Sequence, residues 1–405
     1  MKGSKRKLRL MITGVCLCCC LTGCWDKVEI NQLAIGELVG ADMDPKTGKQ
    51  IVYYQIVNPG AVAAQKEAGT KSPVYTYKVQ ASSISELGEK TADLLPRQLF
   101  PDHYQSEIVS ERYARQGLNP FLNFFERQYN RRSNLYLFVT DSPLSDVMMT
   151  YLPLERLTGR SLRSLIENQS KSTGKISTKS RVKDLVENME SSMLTVIPML
   201  SLNGSTPLSS TERYEQINAD KGNLILSGGA VFKHDRMIGK MDSGQMAYYV
   251  LLKGESEVFF ESIRVNGRKV DLQAAKPKVR KRLDIVSGTP VWKVEISTPL
   301  ILMNNEQRKD LTLENLEEIS REFNQQVHKK TTEFYRDALS KKWDLFGLEN
   351  KIKNKRGKAW KAAHARINTW NQTQFQLTIK SKIIDIGEII NPYRRQNDGT
   401  RANQR

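Results

Sequence analysis

The chain has 405 residues, with 62 Lys and Arg against 44 Asp and Glu, and its five cysteines all lie within the first 24 positions. Domains usually span about 100 to 200 residues, so this length predicts two or three domains and a sizeable buried core. Because no cysteine follows Cys24, the remaining chain excludes a disulfide framework, a thiolate metal site and a cysteine nucleophile.

The N-terminus has the pattern of a lipoprotein signal peptide over residues 1–23. Residues 1–9 carry five basic side chains and no acidic one, and residues 10–23 are uncharged. This run is shorter than the roughly 20 residues that span a bilayer as a helix. It ends in a bacterial lipobox, Leu21-Thr22-Gly23-Cys24. We expect Cys24 to carry an S-diacylglyceryl and an N-acyl group, which hold a protein on a membrane more firmly than one acyl chain does. An uncleaved signal anchor is the alternative.

Strand and helix signals alternate along residues 24–202, which we assign to an N-terminal α/β domain. Residues 33–40 and 51–57 flank a turn rich in Asp, Pro and Gly and predict a β-hairpin. Residues 60–72 predict a loop, and Ser83 with Glu86 predicts a capping box that opens a helix. The other predicted elements are strands at 105–109 and 134–140 and helices at 111–115, 120–127, 161–169 and 181–193.

A polar segment at 203–222 predicts a linker or boundary before a C-terminal α+β domain at 223–390. Strands are predicted at 224–232, 236–241, 257–265, 283–287 and 291–296. A long amphipathic helix at 313–341, an alternating final strand from 375 to 383 and a polar tail at 391–405 follow. The fold class predicted for the whole chain is α+β, with mixed β-sheets flanked by helices in two or three domains.

The positive charge of the mature chain lies in its last third. Residues 24–263 hold 27 basic and 28 acidic side chains, whereas residues 264–405 hold 30 and 16, with the densest runs at 276–282 and 351–361. Anionic lipid head groups are one partner for this region, since each Lys or Arg near such a surface contributes on the order of 1 kcal/mol. A solvated surface without a partner is the alternative. We expect no nucleic acid partner, because the chain is exported and carries no recognition motif.

No catalytic or metal-binding arrangement is visible in the sequence. The chain has no His-Glu-x-x-His or Gly-x-Ser-x-Gly motif. His103, beside Asp102, is a candidate general base, although a single histidine before a strand is more often structural. His234-Asp235 predicts a turn. The Asp42-x-Asp44 pair lacks the glycine and glutamate of a calcium loop. We therefore predict a protein that is not an enzyme and binds neither cofactor nor metal.

Four blocks in the mature chain resemble the Ger(x)C family, the lipoprotein C subunits of spore nutrient germinant receptors. The blocks follow the family's order: Cys24-Trp25-Asp26-Lys27-Val28-Glu29-Ile30 with Ala41–Asp44, then His103–Arg127, then Ala230–Gly239, then Trp343–Gly387. The extended Ala- and Lys-rich loop at 60–72 and the longer polar tail depart from the family's pattern. These departures leave the identity of the partner subunits open.

The resemblance implies a non-enzymatic subunit on the outer face of the spore inner membrane, needed for the germination response to nutrients. It also implies a polytopic A-type subunit and a transporter-like B-type subunit as partners. By the family's pattern the chain consists of mixed α/β domains, so a third domain can lie within the two predicted from the sequence. We expect Trp343, Trp360 and Trp370 to be packing or partner anchors, with plain core packing as the alternative.

Two other functional classes stay open from the sequence. A lipid-anchored solute-binding protein requires a ligand cleft between two lobes. A surface hydrolase requires clustered polar residues with shifted pKa values in a pocket, for instance around His103. The sequence identifies neither the nutrient nor the cognate subunits.

Overall fold

The fold is known from a computed structural model, which describes residues 29–63, 71–126, 134–190, 193–204, 209–210, 222–287, 289–307, 311–355, 357, 360–361 and 369–387. Within these ranges the chain forms two mixed β-sheets flanked by helices, which confirms the predicted α+β fold class. Cys24 and the polar tail at 391–405 lie outside the described residues.

The larger sheet has nine strands among the described residues, in the order β3-β2-β1-β5-β6-β7-β8-β9, with β4 beside β1. The strands are β1 (Leu33–Met43), β2 (Gln50–Val57), β3 (Val74–Ala81), β4 (Gln98–Phe100), β5 (Ser106–Ser110), β6 (Tyr136–Thr140), β7 (Leu194–Asn203), β8 (Asn223–Lys233) and β9 (Arg236–Asp242). Strands β1, β5, β6 and β7 run parallel at the centre, and the outer pairs are antiparallel.

Helices lie on both faces of this sheet. They are α1 (Pro59–Ala63), α2 (Ile84–Leu94), α3 (Glu111–Gln116), α4 (Asn119–Glu126), α5 (Leu144–Met149), α6 (Thr158–Ser172) and α7 (Val182–Glu190). Successive residues of β1 point to opposite faces, so Leu38 lies in one hydrophobic core and Val39 in the other. Every residue of β5 and β6 is buried, as expected for parallel strands covered on both sides.

The second sheet is built around one long strand, β13 (Thr289–Asn305). Its other strands are β10 (Val258–Val265), β11 (Arg268–Ala275), β12 (Lys278–Val286) and β14 (Gln374–Asp385). Strand β13 pairs with β12 through its first half and with β11 through its second half, while β14 runs parallel to it on the other side.

Three helices accompany the second sheet: α8 (Ser243–Lys253), α9 (Leu313–Ser340) and α10 (Leu348–Asn354). The 28-residue helix α9 contacts β10 and β14 and buries Phe323 in the shared core. Trp292 is fully buried in that core, and its ring centroid lies 4.7 Å from that of Phe346 and 5.2 Å from that of Phe375. The core of the second sheet is therefore an aromatic cluster.

Two glycines mark where the halves of the molecule meet. Gly174 follows α6 with a positive φ of 63°, and a Cβ there would overlap the carbonyl oxygen of Val258 at the start of β10. A Cβ at Gly239 of β9 would overlap the ring of Trp343, which follows α9. Both contacts join the larger sheet and its helices to the second sheet and its helices at a distance that leaves no room for a side chain.

Many predicted elements are confirmed. The hairpin is β1 and β2, the long helix is α9, and the final strand is β14. Ser83 caps α2 by accepting a hydrogen bond from the Glu86 amide, but Glu86 accepts from Ser82 instead of closing the box on Ser83. His234-Asp235 forms the turn between β8 and β9, with His234 at a φ of 54°.

Other predictions need correction. The predicted loop at 60–72 begins within the short helix α1, and residues 64–70 of it lie outside the described residues. Strand β12 begins at Lys278, five positions before the predicted start. Elements absent from the prediction are β3, β4, β7, β11, α5, α8 and α10. The predicted boundary segment at 203–222 is not among these corrections: it lies between β7 and β8, which pair with each other, and the division into domains there stays a prediction.

Candidate interaction surfaces

The second sheet has a solvent-exposed face on the side opposite α9. Along its strands, buried side chains alternate with exposed ones, the pattern of an antiparallel sheet with one wet face. We call the exposed side the outward face. Its members on the three strands that carry most charge are Lys278, Arg280, Arg282 and Asp284 of β12, Lys293 and Glu295 of β13, and Gln376, Thr378, Lys380 and Lys382 of β14.

Strand register brings the charged members of the outward face together. Arg280 lies opposite Glu295, and Arg282 lies opposite Lys293. On the other side of β13, Glu295 lies opposite Thr378. Side chains directly across a ladder are about 4.5 to 5.5 Å apart at Cβ, so these groups are neighbours. Residues of β12 and β14, separated by almost a hundred positions in sequence, therefore form one surface.

Only part of this charge is neutralised within the sheet. Lys380 Nζ lies 2.7 Å from Glu295 Oε1, and Arg282 Nε lies 2.7 Å from Asp284 Oδ1. These contacts hold the pKa values of Glu295 and Asp284 below their usual range. Lys293 Nζ also lies 3.4 Å from Asp284. The outward face thus has six basic side chains for two carboxylates, and among the described residues no carboxylate forms an ion pair with Lys278, Arg280 or Lys382.

Apolar side chains are also exposed on this sheet. Phe260 of β10 is 44% exposed and Met303 of β13 is 55% exposed. Single exposed apolar residues are common, and Met303 lies eight residues along β13 from Glu295, so the apolar and cationic parts occupy different regions of the same face. The outward face is our main candidate interaction surface.

A buried carboxylate lies in the larger sheet. Glu37 of β1 is 3% exposed, and its carboxylate accepts hydrogen bonds from the amides of Gly159 (2.9 Å) and Arg160 (2.7 Å) in the first turn of α6. Burial raises the pKa of Glu37 to about 7, even though these two bonds act in the opposite direction. This carboxylate supplies the cap that α6 otherwise lacks. Its environment is that of a helix cap rather than of a catalytic pocket.

A cavity of about 530 Å³ lies between α2 and β4, beside the start of β1. Its lining includes Tyr54, Thr91, Leu95, Arg97 and Leu99. The cavity lies at one end of the larger sheet and not between two lobes. It therefore does not have the location that the solute-binding alternative requires.

The tryptophans named from the sequence lie in or beside the core. Trp343 and Trp370 are 9% and 8% exposed, and Trp360 is half-buried against the same core. Trp292, which sequence reasoning did not single out, is more deeply buried than any of them. Its position in the predicted strand at 291–296 was the available signal, because alternate residues of such a strand point inward.

The described residues contain no grouping typical of a catalytic metal site. Within them, no three His, Cys, Asp or Glu side chains lie close enough to hold a metal ion. His103 is exposed in a short turn, with its ring centroid 5.5 Å from that of Phe100. None of the helices in the described ranges is long and apolar enough to cross a bilayer.

Comparison with known proteins identifies the family. Residues 26–202 match the sequence model of the spore germination protein N-terminal domain, and residues 227–387 match that of the spore germination B3/GerAC-like C-terminal domain. The putative spore germination protein YfkR of Bacillus subtilis (strain 168) is 24% identical over 310 residues, which cover 75% of this chain and 76% of that protein. Spore germination protein KC of the same organism is 25% identical over 218 residues, covering 52% of this chain and 53% of that protein.

A solved structure shares the fold. The crystal structure of the GerBC protein superposes with a TM-score of 0.55 and 15% sequence identity, over 86% of this chain and 97% of that one. The two domain matches occur in the order expected and together span most of the chain. The chain therefore belongs to the Ger(x)C family of spore germination proteins.

Proposed function

We propose that this protein is the lipid-anchored C subunit of a spore germinant receptor, needed for the germination response to nutrients. It acts by protein–protein contacts at the outer face of the spore inner membrane, with an A-type and a B-type subunit as partners. The observation that carries the proposal is the position of the lipobox. Cys24 stands two residues before the first family domain, which begins at residue 26.

The short connection to Cys24 limits how far the body can move from the bilayer. The described chain begins at Glu29, five residues after Cys24. An extended chain spans at most about 3.6 Å per residue, so an acylated Cys24 keeps Glu29 within about 18 Å of the membrane surface and the start of β1, at Leu33, within about 32 Å. The end of the larger sheet that carries β4 and the 530 Å³ cavity then lies close to the bilayer.

The basic C-terminal region supplies the second part of the proposal. Its outward face carries cations that have no ion-pair partner among the described residues, and exposed apolar side chains elsewhere on the same face, which suits contact with anionic lipid head groups. We assign Trp343, Trp360 and Trp370 to packing, because little of Trp343 or Trp370 is exposed and Trp360 contacts the same core. With these three rings used for packing, we assign partner contacts to the outward face instead.

Replacement of the lipidated cysteine tests the proposal. We expect Cys24→Ala to leave the spore membrane fraction and to abolish germination with nutrients, because a body without acyl chains has no firm anchor. Germination by a stimulus that bypasses nutrient receptors should be unchanged. Cys20→Ala is the matched control, since that cysteine leaves with the signal peptide and should behave as the parent protein.

The membrane association of the protein and the germination response to nutrients are measured in the same spore preparation. A Cys24→Ala protein that stays in the membrane fraction and supports normal nutrient germination would contradict the anchored-subunit proposal. Instability of the variant is separated from loss of anchoring by its abundance in the whole-spore extract.

A further inference from the structure

The outward face contains a cavity of about 390 Å³ lined mainly by polar and charged residues. Strand β12 contributes Arg280, Lys281 and Arg282, and the neighbouring strands contribute Lys293, Val294, Glu295, Gln376 and Thr378. Four of these eight residues are cationic and one is anionic. The cavity also has an amide and a hydroxyl that can bond to oxygen atoms. Its composition matches an oxygen-rich anion.

The single carboxylate of the cavity is already paired. Glu295 Oε1 lies 2.7 Å from Lys380 Nζ, and Lys380 itself is not part of the lining. Arg282 and Lys293 share Asp284, at 2.7 and 3.4 Å. After these pairings the lining keeps an excess of positive charge on the outward face, concentrated at Arg280. Lys281 alternates with Arg280 and Arg282 along β12, so its ammonium lies on the opposite side of the sheet. Arg280 has no ion-pair partner among the described residues.

Positive charge behind the cavity adds to this excess. Lys281 Nζ donates a 2.8 Å hydrogen bond to the carbonyl oxygen of Lys253 at the end of α8, and Lys351 Nζ donates one of 2.9 Å to the carbonyl oxygen of Phe346. Partial burial lowers the pKa of the Lys281 ammonium, and the nearby charges of Lys351 and Lys253 lower it further. Glu255 acts in the opposite direction without cancelling them. These lysines repel one another on the inner side of the sheet, so they add only a background of positive potential to the cavity on the outward face.

We propose that this cavity binds a phosphate group, carried by an anionic lipid head group or by a small soluble phosphate ester. Arg280 is the principal contact, because its guanidinium forms no ion pair within the described ranges and its planar fork fits two phosphate oxygens. Arg282 and Lys293 add charge, and Thr378 and Gln376 donate hydrogen bonds to the remaining oxygens. The inference rests on the proposed function only for the lipid source, since a soluble phosphate requires no membrane.

Lys278 provides a matched control for Arg280. Both residues lie on the exposed side of β12, and neither has a carboxylate partner among the described residues, but only Arg280 lines the cavity. Replacing either one by Gln removes the same unit of charge. A diffuse attraction would fall equally in the two variants, whereas a defined site loses affinity only with Arg280→Gln.

The experiment uses the whole mature chain, residues 24–405, with Cys24→Ala so that acyl chains do not dominate the binding. Sedimentation with phosphatidylcholine vesicles containing phosphatidylglycerol tests the lipid source, and calorimetry with inorganic phosphate and glycerol phosphate tests the soluble source. We expect Arg280→Gln to weaken the binding about fivefold or more, because one cationic contact contributes about 1 kcal/mol. We expect Lys278→Gln to weaken it less than about twofold.

Each outcome decides the proposal. Binding to vesicles alone assigns the phosphate to a lipid head group, and binding of glycerol phosphate or inorganic phosphate assigns it to a soluble ester. Equal losses in Arg280→Gln and Lys278→Gln, or no binding in either arm, overturn the site. Because the anchor is tested separately by Cys24→Ala in spores, failure of the phosphate site leaves the subunit proposal intact. Unfolding curves of both variants confirm that the comparison is made between folded proteins.

Discussion

The central strands of the larger sheet are buried on both faces, whereas the second sheet buries one face and exposes the other. All five residues of β5 and all five of β6 are buried. Along β10 and β14, in contrast, exposed residues recur at alternate positions. The pairs among β10 to β13 are antiparallel, and antiparallel strands tolerate one exposed face. Strand β14 pairs in parallel with β13 and still exposes alternate residues, because α9 covers only one face of this sheet.

The charge distribution follows the same division. Strands β1 to β9 all lie within the electrically balanced part of the chain, before residue 264, whereas β11 to β14 lie in the basic part after it. A sheet covered on both faces has little surface on which to display charge. The second sheet has an open face, and that face holds the cations. In the proposed function the larger sheet is the scaffold and the second sheet is the contact surface.

The junction between these two regions gives the largest expected effect. Gly174→Ala introduces a methyl group that overlaps the Val258 carbonyl at a φ of 63°. Left-handed strain of about 1 to 2 kcal/mol and overpacking of about 1 to 3 kcal/mol together predict a loss of about 4 kcal/mol in the free energy of unfolding. Urea denaturation measures this loss.

Gly48→Ala is the control for Gly174→Ala. Gly48 has a φ of 67°, but no atom lies within 4 Å of the place that a Cβ would take there, so only the strain of about 1 to 2 kcal/mol is expected. Equal losses for the two variants would mean that Gly174 is not tightly packed against β10. The two regions would then be joined more loosely than the structure indicates.

The buried region should also respond to pH through Glu37. Its pKa of about 7 lies above the usual range near 4.5, so between these values the folded protein binds more protons than the unfolded chain. Stability therefore falls as the pH rises through this window, by about 3 kcal/mol in total. Glu37→Gln cannot ionise, and we expect it to gain about that much relative to the parent protein between pH 5 and pH 8.

Urea unfolding at several pH values measures the effect of Glu37→Gln. Arg160 and Glu155 also face this carboxyl, with opposite effects on its pKa, and are left unchanged. Glu167→Gln on the exposed side of α6 is the control, because Glu167 forms only a surface pair with Arg163. If the curves of Glu37→Gln and the parent protein run parallel, Glu37 is ionised at every pH tested and the burial argument is wrong.

The sequence predicted elements whose signal is local. The hairpin of β1 and β2 and the periodic helix α9 were found because turn residues and apolar spacing identify them without tertiary information. Strand β11 was missed although Asn266-Gly267, both at positive φ, is a strong hairpin signal before it. Helix α8 was missed although Asp242 and Gln245 form a capping box and Gly254 ends it. Both signals are local, so these two elements were predictable from the sequence.

Other features depend on contacts that no local pattern contains. Strand β7 contains Pro198, which argues against a central strand, yet Pro198 lies opposite Gly229 in the sheet and a register shift follows between Met199 and Leu200. The basic run at 276–282 identified Arg280 and Arg282 of the phosphate site, but Gln376 and Thr378 reach it only through the parallel pairing of β14 with β13. Such pairing between distant strands is fixed by the whole fold. The sequence therefore predicted a run of basic residues at this place, but not the cavity that they line.

The exposed ion pair between Lys380 and Glu295 should give the smallest change in the free energy of unfolding. Lys380→Ala removes the 2.7 Å contact with Glu295 on the outward face. Solvent screens such pairs strongly, so we expect no measurable change in the urea midpoint. The pKa of Glu295, held low chiefly by Lys380, should rise toward its usual range, and NMR titration of the carboxyl carbon measures this rise. A lower urea midpoint would show that the outward face contributes to the stability of the fold. Its charges would then have a structural role, and the division between a scaffold sheet and a contact sheet would fail.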